Sequence, residues 1–164
     1  HPGRVSNHLH NASVGDRLFL QPPTGDFVVA DKDRDMVLIA GGVGITPLLS
    51  MLLNRINERG NGHGVTFIQC CRDADHHIMK EELNALSAPP GFVYKVAYEL
   101  SDGADHRGYL DAAILENWLS DHHADIYFCG PRPFMSVLDK LLQSLGYPEQ
   151  QRHYEIFGPS TRLN

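Results

Sequence analysis

The chain lacks a long apolar run, an excess of basic residues and a set of cysteines that could pair. No apolar stretch approaches the roughly 20 residues of a membrane helix, so we expect no membrane segment. Lysine and arginine number 14 against 20 acidic residues, and this balance argues against a nucleic-acid or anionic membrane partner. The three cysteines, Cys70, Cys71 and Cys129, form no disulfide framework, and reduced thiols in a cytoplasm fit best.

Residue spacings typical of metal sites and serine hydrolases are also missing. The ten histidines include the neighbouring pairs His76–His77 and His122–His123, but adjacent residues do not share a helix face. No H-x-x-x-H, H-E-x-x-H or C-x-x-C spacing occurs. No serine stands in a G-x-S-x-G elbow. We therefore predict no metal site.

The 164 residues are enough for one domain, or for one domain with a piece of another. The chain does not begin with methionine, and its opening residues read as the middle of a motif, so we expect a piece of a longer protein. Residues 1–34 are polar and rich in turn residues; we predict a short helix capped by Ser6 and a strand around Leu18–Leu20. We expect this part to expose strand edges, and we place the domain boundary between residues 34 and 35.

From residue 35 onward, apolar runs alternate with helical patterns. The predicted strands are 36–40, 65–70, 92–98, 125–129 and 153–157. The predicted helices are 47–59, 77–86, 111–119 and 133–145. This alternation predicts an α/β fold, a doubly wound, five-stranded parallel sheet with helices on both faces. In such a sheet, ligands bind beyond the carboxyl ends of the strands at the topological switch point.

The loop IAGGVGITP, Ile39–Pro47, joins the first strand to a helix for which Thr46 is the predicted cap. Glycines let a pyrophosphate approach the backbone, and the helix N-terminus offers free N–H groups and a positive dipole end. Its G-x-G-x-x-P spacing has Pro47 where the dinucleotide fingerprint has a third glycine. A nucleotide site is the favoured interpretation, and a turn needed only for strand–helix packing is the alternative.

A second strand-to-helix turn, YFCGPRPFM, runs from Tyr127 to Met135. If the two strands flank the switch point, Cys129–Gly130–Pro131 faces the first glycine loop. Cys129 is a candidate nucleophile, a nicotinamide contact or a buried thiol, and no base for a nucleophile is evident in the sequence.

Cofactor preference depends on the residues after the second strand. Asp73 and Asp75 would repel a 2′-phosphate and favour NADH, whereas Arg72 would accept one and leaves NADPH open. A solvated turn is the alternative for all three. His77 either contacts the nucleotide or opens the second helix.

Five motifs, in this order, resemble the reductase region of the flavohaemoglobin family within the ferredoxin-reductase superfamily, and the likeness covers essentially the whole chain. They are VSNHLHN, PTGDF, GGVGITP, CGPRPFM and HYEIFGP. With this resemblance, the residues predicted to contact NAD(P)H lie at or after the ends of predicted strands: Gly41, Gly42, Gly44, Thr46, Arg72, Asp73, His77, Cys129, Gly130 and Pro131. Those implied to approach FAD are Ser6, Glu155 and Phe157, and Cys129 and Glu155 are the implied catalytic pair.

The resemblance implies a reductase that passes hydride from NAD(P)H to FAD. In the family, electrons then reach a haem in an N-terminal globin, which converts nitric oxide and oxygen to nitrate. Residues 1–34 would be the remnant of a β-barrel FAD domain. The chain has no globin and no R-x-Y-S/T element, so we expect weak or absent FAD binding, haem only in a missing domain, and no complete reaction by this chain alone.

Two other functions stay open from the sequence. The first is the reductase component of an oxygenase, ferredoxin or flavodoxin system, which an adjoining ferredoxin domain would mark. The second is a dinucleotide-binding module without redox activity.

Overall fold

The computed structural model describes residues 3–22, 24–87, 91–119 and 122–156. Within them the strands are β1 (Met36–Gly41), β2 (Val65–Cys71), β3 (Val93–Tyr98), β4 (His106–Arg107), β5 (Asp125–Cys129) and β6 (Arg152–Glu155). The helices are α1 (Arg4–His10), α2 (Ile45–Arg59), α3 (Lys80–Leu86), α4 (Ala112–Trp118) and α5 (Arg132–Ser144). Short 3₁₀ turns span Gly42–Gly44, Ala74–His76 and Glu149–Gln151. No helix in these ranges has the length and apolar character needed to cross a membrane.

The strands form one sheet in the order β4-β3-β2-β1-β5-β6, and every pairing is parallel. The predicted doubly wound parallel fold is confirmed. The described sheet has six strands where we predicted five, because β4 is a two-residue edge strand and is too short to show a hydrophobic pattern. Strands β2, β3 and β4 are added on one side of β1, and β5 and β6 are added on the other. The boundary between β1 and β5 is therefore the topological switch point.

The central strands β1 and β5 are buried along their full length. One face of the sheet packs against α2 through Leu48 and Leu52, and the other packs against α4 and α5 through Leu115 and Leu142. Burying both faces explains why these strands read as continuous apolar runs rather than alternating ones.

Two helices begin two or more residues away from their predicted first residue. Helix α2 begins at Ile45 with Gly44 at its cap, so the prediction that Thr46 caps it is wrong. The 3₁₀ turn runs directly into the helix, and the Thr46 hydroxyl donates to the carbonyl of Val43 at 3.2 Å. Helix α3 begins at Lys80 rather than His77, because His77 is bonded to the sheet.

Residues 3–34 contain one helix and no strand among those described. The predicted Ser6 cap is wrong, since Ser6 lies inside α1, where Gly3 is the cap. The Leu18–Leu20 run also forms no strand, and Phe19 is fully solvent-exposed. A strand requires a neighbour, and this segment pairs with none of the described residues. Phe27, in contrast, packs against the core beside α2, and the boundary at residues 34 and 35 stays a prediction.

Candidate functional site

A cleft of about 690 Å³ opens beyond the carboxyl ends of β1, β2 and β3, beside the switch point. Its volume is typical of small-molecule sites, and its position is where doubly wound folds bind ligands. The residues that line it include Gly41, Gly42, Val43, Arg72, His76, Glu99, Tyr109, Pro131, Phe134 and Val137. A second cavity, of about 530 Å³, lies at the opposite ends of the strands, where Asp35, Gly64 and Phe92 line it.

The two glycine loops meet at the switch point. Ala40 pairs with Cys129 in parallel register, so the chain leaves β1 and β5 side by side. A Cβ on Gly44 would lie 2.1 Å from the carbonyl oxygen of Cys129 and 2.6 Å from the nitrogen of Gly130. Neither backbone atom can move aside cheaply. At Gly44, therefore, the packing of the two loops alone requires glycine.

Gly42 is different, because its α-carbon faces open space. It has a φ of +52°, and no atom lies within 4 Å of the position that a Cβ would take. This φ lies in the left-handed region that favours glycine. Since Gly42 also lines the cleft, a phosphate group can approach its backbone closely.

The N-terminus of α2 directly follows the Gly42–Gly44 turn. No side chain accepts a hydrogen bond at its cap, so the first-turn N–H groups of this helix are not satisfied by a side-chain cap. The N–H of Ile45 already donates within the preceding 3₁₀ turn, and Pro47 has no N–H. The feature that favours an anion here is therefore the positive end of the 15-residue helix dipole. The open backbone at Gly42 and this helix end fit a pyrophosphate.

Of the residues that follow β2, some line the cleft and others form contacts within their own loop. Arg72 lines the cleft and its side chain is 64% exposed. Asp73 accepts a hydrogen bond from the His76 backbone at 3.1 Å, and its carboxylate lies 2.6 Å from His76 Nδ1. The hydrogen bond from His76 lowers the pKa of Asp73, so this carboxylate stays ionised and engaged within the turn.

His77 is not a lining residue of the cleft. Its ring is buried against the sheet, where Tyr98, Tyr94 and Gln69 surround its two nitrogens. The structure therefore places His77 behind the loop that Arg72 and Asp73 begin.

Cys129 is a buried thiol within the α2 side of the core. Its Sγ donates to the backbone carbonyl of Glu155, 3.4 Å away across the β5–β6 pair. Burial raises the pKa of Cys129 to about 11, so the thiol is neutral at pH 7. Of the open alternatives, this geometry favours the buried thiol over the nucleophile.

The residues assigned to FAD are not brought together. Ser6 lies on α1, which buries none of its residues, whereas Glu155 ends β6 and is half-buried. Phe157 lies outside the described residues.

Three residues that line the cleft were not singled out from the sequence: Glu99, Tyr109 and Val137. Glu99 follows β3 and Tyr109 follows β4, and the Tyr109 hydroxyl donates to the Glu99 carboxylate. Val137, on α5, is 56% exposed and forms part of the apolar wall. The signal for Val137 was present, since it belongs to the apolar stripe of α5. Glu99 begins a loop at the carboxyl end of a strand, where ligands are expected, whereas Tyr109 carried no comparable signal.

The three cysteines predict an alkaline loss of stability. Burial raises the pKa of Cys129 and Cys71 to about 11, and that of Cys70 further. Unfolded thiols ionise near pH 8.5, so between about pH 8.5 and 11 the unfolded state releases protons that the native state keeps. The free energy of unfolding should therefore fall as pH rises through this window, by up to about 1.4 kcal/mol per pH unit for each thiol.

Urea unfolding between pH 7.5 and 10 measures this slope. Cys129→Ala should reduce it, because one thiol no longer contributes. A free energy of unfolding that stays constant or rises across this window would contradict the assignment.

The oxidoreductase NAD-binding domain family matches residues 38–140. The flavohemoprotein of Pseudomonas aeruginosa is 41% identical over 169 residues, which cover 99% of this chain and 42% of that protein. The Pseudomonas putida flavohemoprotein is 42% identical and is covered to the same 42%. This chain thus spans less than half the length of these relatives.

Solved structures agree with this match. The FAD/NAD-binding domain of a nitric oxide dioxygenase from Vibrio cholerae superposes with a TM-score of 0.82 at 37% identity, covering 96% of this chain and 66% of that one. A flavohemoglobin from Malassezia yamatoensis, solved with FAD and haem, gives a TM-score of 0.81 at 24% identity, covering 96% and 41%; this second likeness supports the fold alone.

Proposed function

The chain belongs to the oxidoreductase NAD-binding domain family, and from that premise we propose that it binds NADH in the cleft beside Gly41–Gly44. We further propose that it presents the nicotinamide to an FAD held by another part of a longer protein. The observation that carries the proposal is the open backbone at Gly42 beside the N-terminus of α2, where no side chain caps the helix.

Each wall of the cleft has a role in this proposal. The Gly42–Gly44 turn and the first turn of α2, with Thr46, hold the pyrophosphate. Arg72 and the loop that Asp73 caps hold the adenosine side, since the end of the second strand contacts the ribose in doubly wound folds. The apolar wall of α5 excludes water from the cleft.

The nicotinamide belongs at the switch point, beside Gly41, Gly130 and Pro131. When bound there, NADH would supply the hydride, and these backbone groups would orient its nicotinamide ring. The neutral thiol of Cys129 supports the loop from behind through its bond to the Glu155 carbonyl. We assign Glu155, Ser6 and Phe157 to the flavin side.

NADH is favoured over NADPH by the charges around the adenosine side. Glu99 places a carboxylate on the cleft wall, and Asp73, which His76 holds ionised, lies in the loop beside Arg72. Both carboxylates would repel a 2′-phosphate, and Arg72, whose Nε lies 3.9 Å from Asp73 Oδ2, would offset only part of that repulsion.

The parent protein is proposed to be a flavohaemoprotein. Its relatives at 41% and 42% identity carry that name, and this chain covers 42% of their length. In this proposal residues 1–34 are the end of an FAD barrel, and an N-terminal globin uses the electrons to convert nitric oxide and oxygen to nitrate. The free cysteines fit a cytoplasmic protein. An Amycolatopsis cytochrome P450 reductase and the ferredoxin reductase of a carbazole 1,9a-dioxygenase match at 24% identity, which is a likeness of fold only.

Titration of the chain with NADH and, separately, with FAD tests the proposal. We expect one saturable NADH site per chain and no tight FAD binding, because Ser6 and Glu155 are not assembled into one site. Calorimetry measures both. Absence of NADH binding by a folded chain would overturn the nucleotide assignment, and stoichiometric, tight FAD binding would overturn the division of the flavin site.

A further inference from the structure

The loop between β2 and α3, Arg72–Met79, has two sides. One side faces the cleft, where Arg72, His76 and Ile78 line it. The other side carries His77, whose ring is buried against the sheet. The loop that forms one wall of the cleft is therefore fastened from behind.

The His77 ring contacts three polar side chains on the sheet. Its Nδ1 lies 2.7 Å from the Tyr98 hydroxyl, and its Nε2 lies 2.8 Å from the Tyr94 hydroxyl and 3.1 Å from Gln69 Oε1. All three partners belong to β2 and β3, so the ring is held by two paired strands.

The donors and acceptors of this cluster form a consistent chain. Gln69 Nε2 donates to the Ile78 carbonyl at 2.9 Å, which fixes the orientation of the amide. Its Oε1 then accepts from the Tyr94 hydroxyl at 2.6 Å, so the Tyr94 oxygen accepts from His77 Nε2–H. His77 Nδ1 is left as the acceptor for the Tyr98 hydroxyl. One neutral tautomer satisfies every group, and burial lowers the pKa of His77 accordingly.

The cluster also holds the loop against backbone strain. Met79 has a φ of +60° and is the one non-glycine residue with positive φ among those described. This left-handed conformation is unfavourable for an L-residue, because its Cβ crowds the following carbonyl oxygen. Met79 directly follows His77 and Ile78, which are both hydrogen-bonded to the sheet. These hydrogen bonds hold Met79 in a backbone conformation that an unattached loop would not keep.

We infer that His77 is a positioning residue for the adenosine half of the dinucleotide, acting through the β2–α3 loop that it fastens to the sheet. The inference rests on the proposed function. The inference goes beyond the proposed function because it treats the two halves of the cleft as separable. Loss of the His77 hydrogen bonds should release Arg72 and His76 and leave the glycine loops at Gly42 and Gly130 intact.

Two half-ligands distinguish this effect from general damage. We expect His77→Phe, in the full 164-residue chain, to weaken 5′-AMP binding about tenfold, as lost buried hydrogen bonds commonly do. Binding of reduced nicotinamide mononucleotide should stay within about twofold of the original, the scatter expected of an uncoupled site. His77→Gln, which keeps a donor and an acceptor, should restore part of the AMP affinity.

The matched control is Gln151→Leu, which removes a buried amide that donates to the carbonyls of His122 and Ala124 at the other end of the sheet. It should change neither affinity. If His77→Phe fails to fold, Tyr98→Phe removes one hydroxyl only and should weaken AMP selectively.

Three outcomes overturn the inference: AMP binding unchanged in a folded His77→Phe, equal weakening of both half-ligands, or AMP binding unchanged in Tyr98→Phe. A parent chain that binds neither AMP nor NADH would instead overturn the proposed function.

Discussion

Replacing Gly44 with alanine should lower the free energy of unfolding by about 3 kcal/mol or more, at the upper end of overpacking effects. The new Cβ would lie 2.1 Å from the carbonyl oxygen of Cys129 and 2.3 Å from its carbon. Both are backbone atoms of β5, a strand buried on both faces. Relief would require β5 and the first turn of α2 to separate, which opens the core at the switch point.

Gly60→Ala is the control for Gly44→Ala. Gly60 caps the other end of α2 with a φ of +72° and has open space at its Cβ position. Its replacement introduces conformational strain without a clash and should cost about 1–2 kcal/mol. Urea unfolding of both variants gives the comparison. Equal losses of stability would show that the two loops do not meet as described.

Val43→Asp should separate binding from stability. Val43 is 61% exposed and lines the cleft just before α2. A carboxylate there would meet the pyrophosphate and should weaken NADH binding by about 10- to 100-fold, the range for like charges in a partly solvated site. The same carboxylate lies near the positive end of α2 and should leave stability unchanged or raise it by about 0.3–1 kcal/mol.

Val43→Asn has nearly the same shape as Val43→Asp and no charge. It should keep NADH affinity within about threefold, consistent with a solvent-facing substitution. Calorimetry and thermal unfolding on the same samples measure both properties. If the aspartate variant binds NADH as tightly as the asparagine variant, the phosphate does not lie at this helix end.

The sequence predicted the fold well where burial produces a continuous pattern. β1 and β5 are buried on both faces, so their apolar runs marked them almost to the residue. β4 was missed because two residues hold no periodicity. The cap of α2 was misplaced because Thr46 has the chemistry of a capping residue, but its hydroxyl bonds backward to Val43 within a preceding 3₁₀ turn.

The site was predicted less completely than the fold. Gly42 and Gly44 were grouped as one phosphate loop, but the structure separates a glycine that leaves room from one that packs against β5. His77 was a candidate nucleotide contact, and only its partners on β2 and β3 reveal the anchored ring. Such contacts join residues distant in sequence, so no local pattern reports them.

The most direct test of the account is to map where NADH binds, by following backbone amide shifts of the full chain during an NADH titration. We predict that the largest changes fall on the cleft residues Gly41–Val43, Arg72 and Tyr109. The amides of Asp35, Gly64 and Phe92, which line the cavity at the opposite end of the strands, should stay unchanged. Shifts concentrated at that opposite end, or no shifts in a folded chain, would contradict the claim that this domain binds NADH at its switch point.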